Sequence, residues 1–277
     1  MSYDLETILV RADGGVVFAT LAAPPMNLLG PDLVRDLVSL ILAAEADAAA
    51  QVIVFKSADP DYFIPHVDVT RVAEYRREAA KLAGEDSIAL MFRRTSESRL
   101  VSIAQIEGRV GGAGSEFALA CDMRFAARET ARFIQLETGI GTIPGAGAVQ
   151  HLTRLMGRGR ALEVLLSAAA YDADLAERYG WINRALPAAE IDGFVAALAH
   201  RIAGFPAVGR ATIRERVNAV ALAPADDFRR DSALFLDNFR DPAVQRRMQD
   251  ALARGFQTRA GELDVAQMIG ELSGAPS

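Results

Sequence analysis

The feature that most constrains the fold is an apolar strand that runs into a glycine-rich turn and then into an apolar helix. We predict the strand over Leu100 to Ile106, the turn over Gly108 to Gly114 and the helix over Ser115 to Cys121. A short apolar run bounded by turn residues is consistent with a buried strand. A second such strand, Gln51 to Lys56, follows a predicted helix over Pro31 to Glu45. This strand–helix–strand order indicates an α/β protein.

The remainder of the chain divides into a mixed part and a helical part. Residues 8–21 alternate apolar and polar side chains around Gly14-Gly15, which predicts a β-hairpin. Residues 69–97 have the charged, helical composition of a mobile surface element. Beyond about residue 188 only helical periodicity remains, so we expect the C-terminal ~70 residues to form a helical appendage.

Composition excludes several classes of protein. The chain carries 36 acidic and 30 basic residues, a net charge of −6, and so has no bulk attraction for nucleic acid. One cysteine and three histidines without a metal-binding spacing predict no metal site and no intrachain disulfide. No apolar run reaches the roughly 18 residues of a membrane span, and the N-terminus does not resemble a signal peptide. We therefore expect a cytoplasmic protein that binds neither nucleic acid nor membrane.

The glycine-rich turn predicts a site for a developing negative charge. Backbone N–H groups in the first turn of a helix have no intrahelical partner and lie at the positive end of the helix dipole. Small residues such as Gly112 and Ala113 let a substrate approach, so the Ala113 N–H can donate to an oxyanion. Glu116 follows on the same helix face, beside the carbon next to the polarised carbonyl. The alternative is that the glycines only form the turn and Glu116 only complements the dipole.

Two other segments carry candidate groups. Residues 63–68, Phe-Ile-Pro-His-Val-Asp, form a loop before a predicted helix and can supply a second N–H from Val67. Taken alone, His66 is more often a structural or surface histidine. Glu137 precedes the glycine- and proline-rich segment 139–147, which can hold a carboxylate at a fixed position. Taken alone, it is more often a solvated loop acid.

The order of these segments resembles the crotonase superfamily of enoyl-CoA hydratases and isomerases, over about residues 5–256. The most specific match is segment 137–147, which follows the family pattern E-x-x-x-G-x-x-P-G-x-G. Segment 114–122, GSEFALACD, fits the family's G-G-G-x-E-L-A-x-x-C-D nearly as well. Ala176 and residues 180–182 match A-x-x-x-G-L-V, with tryptophan in place of leucine.

The resemblance implies an α/β fold in which a spiral of repeated ββα turns, residues 1–203, holds an acyl-CoA site. A C-terminal helical trimerisation domain, residues 204–277, would follow. The substrate would be a coenzyme A thioester, with no separate cofactor, and the protein would be a homotrimer or homohexamer. The tail from Asp237 to Phe256 has apolar residues at helical spacing. This face suits burial against a neighbouring subunit and equally against its own domain.

By position in the family's motifs, the thioester carbonyl oxygen would lie between the backbone N–H groups of Val67 and Ala113. The two glutamates that hold the water and move protons in hydratases fall on Glu116 and Glu137. Water addition needs an enolate-like transition state, which two fixed donors stabilise, and two carboxylates share the proton transfers. The further substrate contacts implied by the resemblance are Phe63, Asp68, Gly112, Gly145, Arg71 and Arg254.

The first loop departs from the family pattern F-[SA]-A-G-[AN]-D. His66 replaces a glycine, and Ile64-Pro65 replaces two small residues. An imidazole beside the oxyanion site can be catalytic. We therefore expect His66 either to narrow the acyl pocket or to take part in another step, such as hydrolysis or decarboxylation. The family often places lysines near the coenzyme A phosphates; this chain has only two lysines, so Arg71 and Arg254 are the candidates for that contact.

The leading hypothesis is an enoyl-CoA hydratase-like lyase that adds water syn across C2–C3. The alternatives are an enoyl-CoA isomerase, a crotonase-type hydrolase or decarboxylase that uses His66, and a catalytically silent acyl-CoA-binding protein. Two acids favour hydration over isomerisation, because one base can carry a proton between two carbons. They also argue against a silent scaffold, which needs neither acid.

Overall fold

Two β-sheets lie at the centre of the fold. The computed structural model describes residues 4–272. In chain order its strands are β1 (Ile8–Asp13), β2 (Val16–Leu21), β3 (Val52–Ser57), β4 (Tyr62–Ile64), β5 (Val101–Ile106), β6 (Arg109–Gly111), β7 (Met123–Ala127), β8 (Arg132–Ile134), β9 (Tyr171–Asp172) and β10 (Arg184–Leu186). The larger sheet has the order β1-β2-β3-β5-β7-β10, and the smaller one has the order β4-β6-β8-β9.

The chain passes between the two sheets in each turn of the fold. β3, β5 and β7 lie in the larger sheet, and each is followed by a short strand of the smaller sheet, β4, β6 or β8. Helices then return the chain to the larger sheet, and the neighbouring strands of these turns are parallel. The repeated ββα order confirms the predicted α/β spiral. The hairpin is also confirmed: β1 and β2 are antiparallel, and Gly14 and Gly15 take the positive φ angles that a tight hairpin turn needs.

Helices cover the sheets. In chain order they are α1 (Pro31–Ala46), α2 (Val72–Ala83), α3 (Ile88–Glu97), α4 (Gly112–Ala120), α5 (Glu137–Ile140), α6 (Ala148–Ser167), α7 (Ala173–Tyr179), α8 (Ile191–Ala203), α9 (Ala207–Ala221), α10 (Ala225–Asn238), α11 (Pro242–Ala253), α12 (Arg259–Glu262) and α13 (Val265–Leu272). The charged segment 69–97 is helical, as predicted, but it forms two helices. Of these, α3 is mostly buried against α4 and α10, because its apolar residues outnumber its charged ones on that face.

Glycines allow the smaller sheet to approach α4 closely. A Cβ on Gly114 would lie 1.9 Å from the Ile64 carbonyl oxygen, and a Cβ on Gly111 would lie 2.7 Å from the Pro65 oxygen. Neither position can hold a side chain without moving the backbone of the first loop. These contacts bring the segment that follows β4 to the first turn of α4.

The C-terminal helices pack on the chain's own core. Val244, Met248 and Phe256 are buried within the described residues, so their own domain covers these three side chains of the tail. α9 differs, because none of its residues is buried, and Val208 and Val220 are strongly exposed. The domain division after residue 203 and the trimerisation role of the C-terminal part remain predictions.

Within residues 4–272, no single helix is long and apolar enough to cross a bilayer. Only α8 and α9 taken together reach the required length and composition, and they meet at a bend of 107°. α8 itself behaves as a core helix: its Ile191, Val195 and Ala199 are buried against the larger sheet.

Candidate active site

A small cavity lies where the end of β4, the first turn of α4, α5 and the C-terminal helices meet. Its volume is about 50 Å³. Most of its wall is apolar. The predicted site residues that line it together are His66, Val67, Ala113, Glu116, Glu137 and Gly145. Elsewhere in residues 4–272, as here, no three histidine, cysteine, aspartate or glutamate side chains are grouped to hold a metal ion.

Two backbone N–H groups beside this cavity are candidates for the oxyanion hole. The loop after β4 makes a parallel bridge to Leu29, in which the His66 carbonyl accepts from the Leu29 N–H and the Asp68 N–H donates to the Leu29 carbonyl. Val67 lies between these two contacts, so its own N–H points away from Leu29. Ala113 is the second residue of α4, where backbone N–H groups have no intrahelical acceptor. Since both residues line the cavity, their donors suit one oxyanion.

Glu116 is held by the backbone at the start of α6. Its Oε1 accepts hydrogen bonds from the Ala146 N–H at 2.8 Å and from the Ala148 N–H at 3.0 Å. The side chain is buried, and burial raises its pKa to about 7, although these N–H donors favour the charged form. The proline- and glycine-rich loop before α6 therefore fixes both the position and the proton affinity of this carboxyl group.

Glu137 is the second buried carboxyl group of the cavity and the first residue of α5. Gln135 Nε2 donates to its two carboxylate oxygens at 3.1 and 3.3 Å. Burial raises the pKa of Glu137 to about 8, and the negative charge of Glu116 adds to this shift. Because each charge affects the other, the two groups titrate as a pair.

Gly112 is not among the residues that line the cavity, but it lies between Glu137 and His66. Its φ is +46°, and a Cβ there would lie 3.2 Å from Glu137 Oε1 and 3.1 Å from the His66 Cβ. A larger residue would be strained in this backbone conformation and would press on both neighbours. Gly112, predicted as a substrate contact, thus sets the spacing of two other site residues.

His66 has both ring nitrogens engaged by the protein. Nδ1 donates to the Val67 carbonyl at 2.7 Å, and Nε2 lies 2.8 Å from Glu262 Oε1 with one proton between them. The ring also stacks on Phe256, with centroids 4.2 Å apart and planes at 9°. Glu262 belongs to α12, so this buried pair joins the C-terminal part of the chain to the loop that carries Val67. His66 therefore holds the loop that carries Val67 in place, and neither of its ring nitrogens is free.

Phe63 and Asp68, both predicted substrate contacts, shape the loop instead of lining the cavity. Phe63 is fully buried in the main core because it is the middle residue of β4, a strand that is covered on both faces. Asp68 accepts from the Thr70 N–H at 2.9 Å and from Gln257 Nε2 at 3.2 Å. These hydrogen bonds lower the pKa of Asp68 despite its partial burial, and they close the turn before α2.

The two arginines predicted to contact phosphates lie at the surface. Arg71 pairs with Glu74 at 2.8 Å and with Asp32 at 3.4 Å, while Arg254 lies 3.7 Å from Glu271. The two guanidinium side chains are 41% and 43% exposed. Exposed pairs of this kind are weak, on the order of 0–1 kcal/mol, and can exchange for a phosphate. The role of both residues remains a prediction.

Several side chains reach the cavity from distant parts of the chain without a clear signal in the sequence. They are Tyr75 and Arg76 from α2, and Phe235, Phe239, Met248 and Phe256 from the C-terminal helices. The periodicity of the tail indicates that one face is buried, but periodicity does not identify what covers it. Arg76 lies in segment 69–97, whose charge is typical of a mobile surface element; we expect such a segment to shape the acyl pocket, but its composition does not single out Arg76.

Known proteins share this sequence pattern. The family model described as "Enoyl-CoA hydratase/isomerase" matches residues 11–254. A probable enoyl-CoA hydratase of Rhizobium meliloti is 32% identical over 245 residues, which cover 86% of this chain and 91% of the relative. A short-chain-enoyl-CoA hydratase of Clostridium acetobutylicum is 27% identical over 216 residues, which cover 78% and 82%.

Solved structures share the fold. A putative enoyl-CoA hydratase from Streptomyces avermitilis is 50% identical, with a TM-score of 0.96 over the whole of both chains. DspI of Pseudomonas aeruginosa is 28% identical, with a TM-score of 0.72, over 86% of this chain and 98% of that one. The chain therefore belongs to the enoyl-CoA hydratase/isomerase family, that is, to the crotonase superfamily.

Proposed function

We propose that this protein is an enoyl-CoA hydratase, a lyase that adds water across the C2–C3 double bond of an α,β-unsaturated coenzyme A thioester. The observation that carries the proposal is the placement of two buried glutamates, Glu116 and Glu137, in the same cavity as Val67 and Ala113. Relatives by sequence bear the names of enoyl-CoA hydratases, which supports the same reaction.

In the proposed reaction, the thioester carbonyl oxygen accepts hydrogen bonds from the Val67 and Ala113 N–H groups. As water adds at C3, negative charge moves onto this oxygen, and each fixed donor stabilises the transition state by about 3 kcal/mol. One glutamate takes a proton from the water, and the other gives a proton to C2. The product carries a hydroxyl on C3 and one new hydrogen on C2, and the pair keeps its total number of protons.

The raised pKa values suit this division of work. With the pKa of Glu116 raised to about 7 and that of Glu137 to about 8, the pair holds about one proton near neutral pH. One base and one acid are then present in the same cavity. Isomerisation needs a single group that carries a proton between two carbons, so the second buried acid favours hydration.

The two alternatives outside hydration and isomerisation are less well supported. A base for hydrolysis or decarboxylation needs a free ring nitrogen, but Nδ1 and Nε2 of His66 are both engaged by the protein. A silent acyl-CoA-binding protein has no need for two buried carboxyl groups, which lower stability when they ionise away from water.

The substrate class brings two further proposals. The thioester is itself the substrate, so no other cofactor takes part. Arg71 and Arg254 bind the coenzyme A phosphates.

The protein assembles as a homotrimer or homohexamer. Exposed apolar side chains on one face of α9, Ile213, Val217 and Val220, support such an association.

The proposal is tested by following the loss of the conjugated thioester absorbance of crotonyl-CoA. We expect the wild-type protein to hydrate it, and Glu116→Gln and Glu137→Gln each to lose roughly 100- to 10,000-fold in kcat. Glu163→Gln, on the exposed face of α6, is the matched control and keeps full activity. Absence of turnover in the wild type with every enoyl-CoA tried would reject the proposal.

A further inference from the structure

We infer that the acyl pocket selects an acyl chain that ends in a carboxylate, and that Arg76 binds this carboxylate. The inference rests on the proposed function, because it names the substrate class of the same site. Its basis is a part-buried cation in the wall of the cavity that pairs with no carboxylate of the described residues.

Arg76 lies on α2 and lines the cavity together with Glu116 and Glu137. Its Nη1 donates to the Ser232 hydroxyl at 3.1 Å. Within residues 4–272 this neutral hydroxyl is its hydrogen-bond partner, and no carboxylate oxygen lies within 4.0 Å of its guanidinium. The one carboxylate whose charge acts on it is that of Asp86, which is exposed.

Two neighbouring arginines have carboxylate partners, and Arg77 and Arg230, which have none among the described residues, are exposed to solvent. Arg71, at the start of α2, pairs with Glu74 at 2.8 Å. Arg229, on α10 near Ser232, pairs with Glu85 at 2.8 Å. Arg76 differs from both, although it is the more buried and the more in need of a counter-ion.

A carboxylate is the ligand that this arrangement fits. A guanidinium group presents five N–H donors in a planar fork, and one hydroxyl leaves most of them unused. The fork matches the two oxygens of a carboxylate, which bind it through two parallel hydrogen bonds. Ile88, Phe235 and Phe239 line the same cavity and limit competition from water.

The anion that binds Arg76 must belong to the acyl chain, because the coenzyme A phosphates cannot reach it. Arg76 lines the small cavity that also contains the oxyanion donors and the two glutamates. In the proposed reaction, the reacting carbons of the thioester therefore lie in the same cavity as Arg76. The coenzyme A phosphates are separated from the thioester by the whole pantetheine arm, so they cannot enter this cavity while the thioester occupies it.

The experiment compares two substrates of similar size, crotonyl-CoA and glutaconyl-CoA, of which only the second has a terminal carboxylate. We expect the wild type to favour glutaconyl-CoA in kcat/KM, and Arg76→Met to reduce that preference by roughly 10- to 100-fold, the worth of a charged hydrogen-bonded pair. Arg76→Lys keeps the positive charge but lacks the planar fork, so we expect its preference for glutaconyl-CoA to lie between those of the wild type and Arg76→Met. The matched control is Arg77→Met, the exposed neighbour on α2, which keeps the wild-type preference.

Binding of the saturated analogues butyryl-CoA and glutaryl-CoA, measured by calorimetry, separates this inference from the proposed function. A preference for glutaryl-CoA that depends on Arg76 supports the inference even if no substrate is hydrated. Equal binding of the two analogues by the wild type overturns it, whether or not crotonyl-CoA is hydrated. An equal loss of kcat/KM on both substrates in Arg76→Met also overturns it, because such a loss indicates a phosphate contact or a structural link to α10.

Ser232→Ala tests for the structural link. It breaks the hydrogen bond between α2 and α10 but keeps the positive charge of Arg76, and we expect it to retain the preference for glutaryl-CoA.

Discussion

The buried pair between His66 and Glu262 gives the sharpest test of how the C-terminal part of the chain supports the site. The two side chains are 3% and 1% exposed, and Nε2 lies 2.8 Å from Oε1. Glu262 Oε1 also accepts from the Gln257 N–H at 2.8 Å. The perturbation we choose is Glu262→Gln, which replaces the carboxyl group with an amide of the same shape and keeps one acceptor oxygen.

Removing one partner of a buried pair costs about 3–5 kcal/mol, because the other partner is left without compensation. The glutamine amide still offers hydrogen-bonding groups to the histidine ring and to the Gln257 N–H, so we expect the lower limit, about 3 kcal/mol. For a chain of this length, that corresponds to a fall of about 6–12 °C in Tm. Because His66 immediately precedes the oxyanion donor Val67, kcat should also fall, by roughly 10-fold.

The control uses the second histidine–carboxylate pair of the chain, between His200 and Asp13. This pair is 3.3 Å apart, and its side chains are 38% and 55% exposed. An exposed pair is worth about 0–1 kcal/mol, so His200→Gln should lower Tm by less than about 4 °C. Thermal unfolding by circular dichroism measures both variants. Equal Tm values for Glu262→Gln and the wild type would refute the reasoning.

Two further predictions concern the cavity. Because burial raises the pKa of Glu137 from the ordinary 4.5 to about 8, the folded protein keeps a proton that the unfolded chain releases. The free energy of unfolding should therefore fall as pH rises from about 4.5 to about 8. Glu137→Gln should raise Tm at about pH 8.5 but much less at about pH 5. Equal stabilisation at the two pH values would contradict the raised pKa. Gly112→Ala should lower kcat by roughly 10-fold or more, because the new Cβ would press on Glu137 and His66. The control is Gly84→Ala, at a glycine that also has a positive φ but has open space around it. We expect this control to lower Tm slightly and to leave kcat unchanged. Similar kcat values for the two alanine variants would contradict the role of Gly112.

Much of the larger sheet was predictable, because its strands are long enough to carry a pattern. β3 and β5 are runs of apolar residues bounded by turn residues, and the hairpin of β1 and β2 has paired glycines at its turn. β4, β6 and β8 have three residues each, which is too few for a period to appear. The smaller sheet was therefore visible in the sequence only through the family resemblance.

Some residues of the candidate site were likewise predictable from the sequence, and others were not. Glu116 and Ala113 follow from local physics, since a glycine-rich turn at the start of an apolar helix presents backbone donors next to a carboxylate three residues on. Glu262 and Arg76 could not be found in this way. Glu262 lies 196 residues from its partner His66, and contacts over such a separation depend on how the C-terminal helices fold back. Arg76 stands out because, among the described residues, it is a part-buried arginine without a carboxylate partner. A sequence does not show which side chains form ion pairs.

The central claim is that water is added to C3 of an intact thioester, and ¹⁸O-labelled water tests it most directly. The wild-type protein would be incubated with crotonyl-CoA in labelled water, and the products analysed by mass spectrometry. Hydration predicts 3-hydroxybutyryl-CoA with one ¹⁸O on C3, and loss of this product in Glu116→Gln and Glu137→Gln. Release of a free acid with ¹⁸O in its carboxyl group, or labelled hydration that survives both substitutions, would contradict the account.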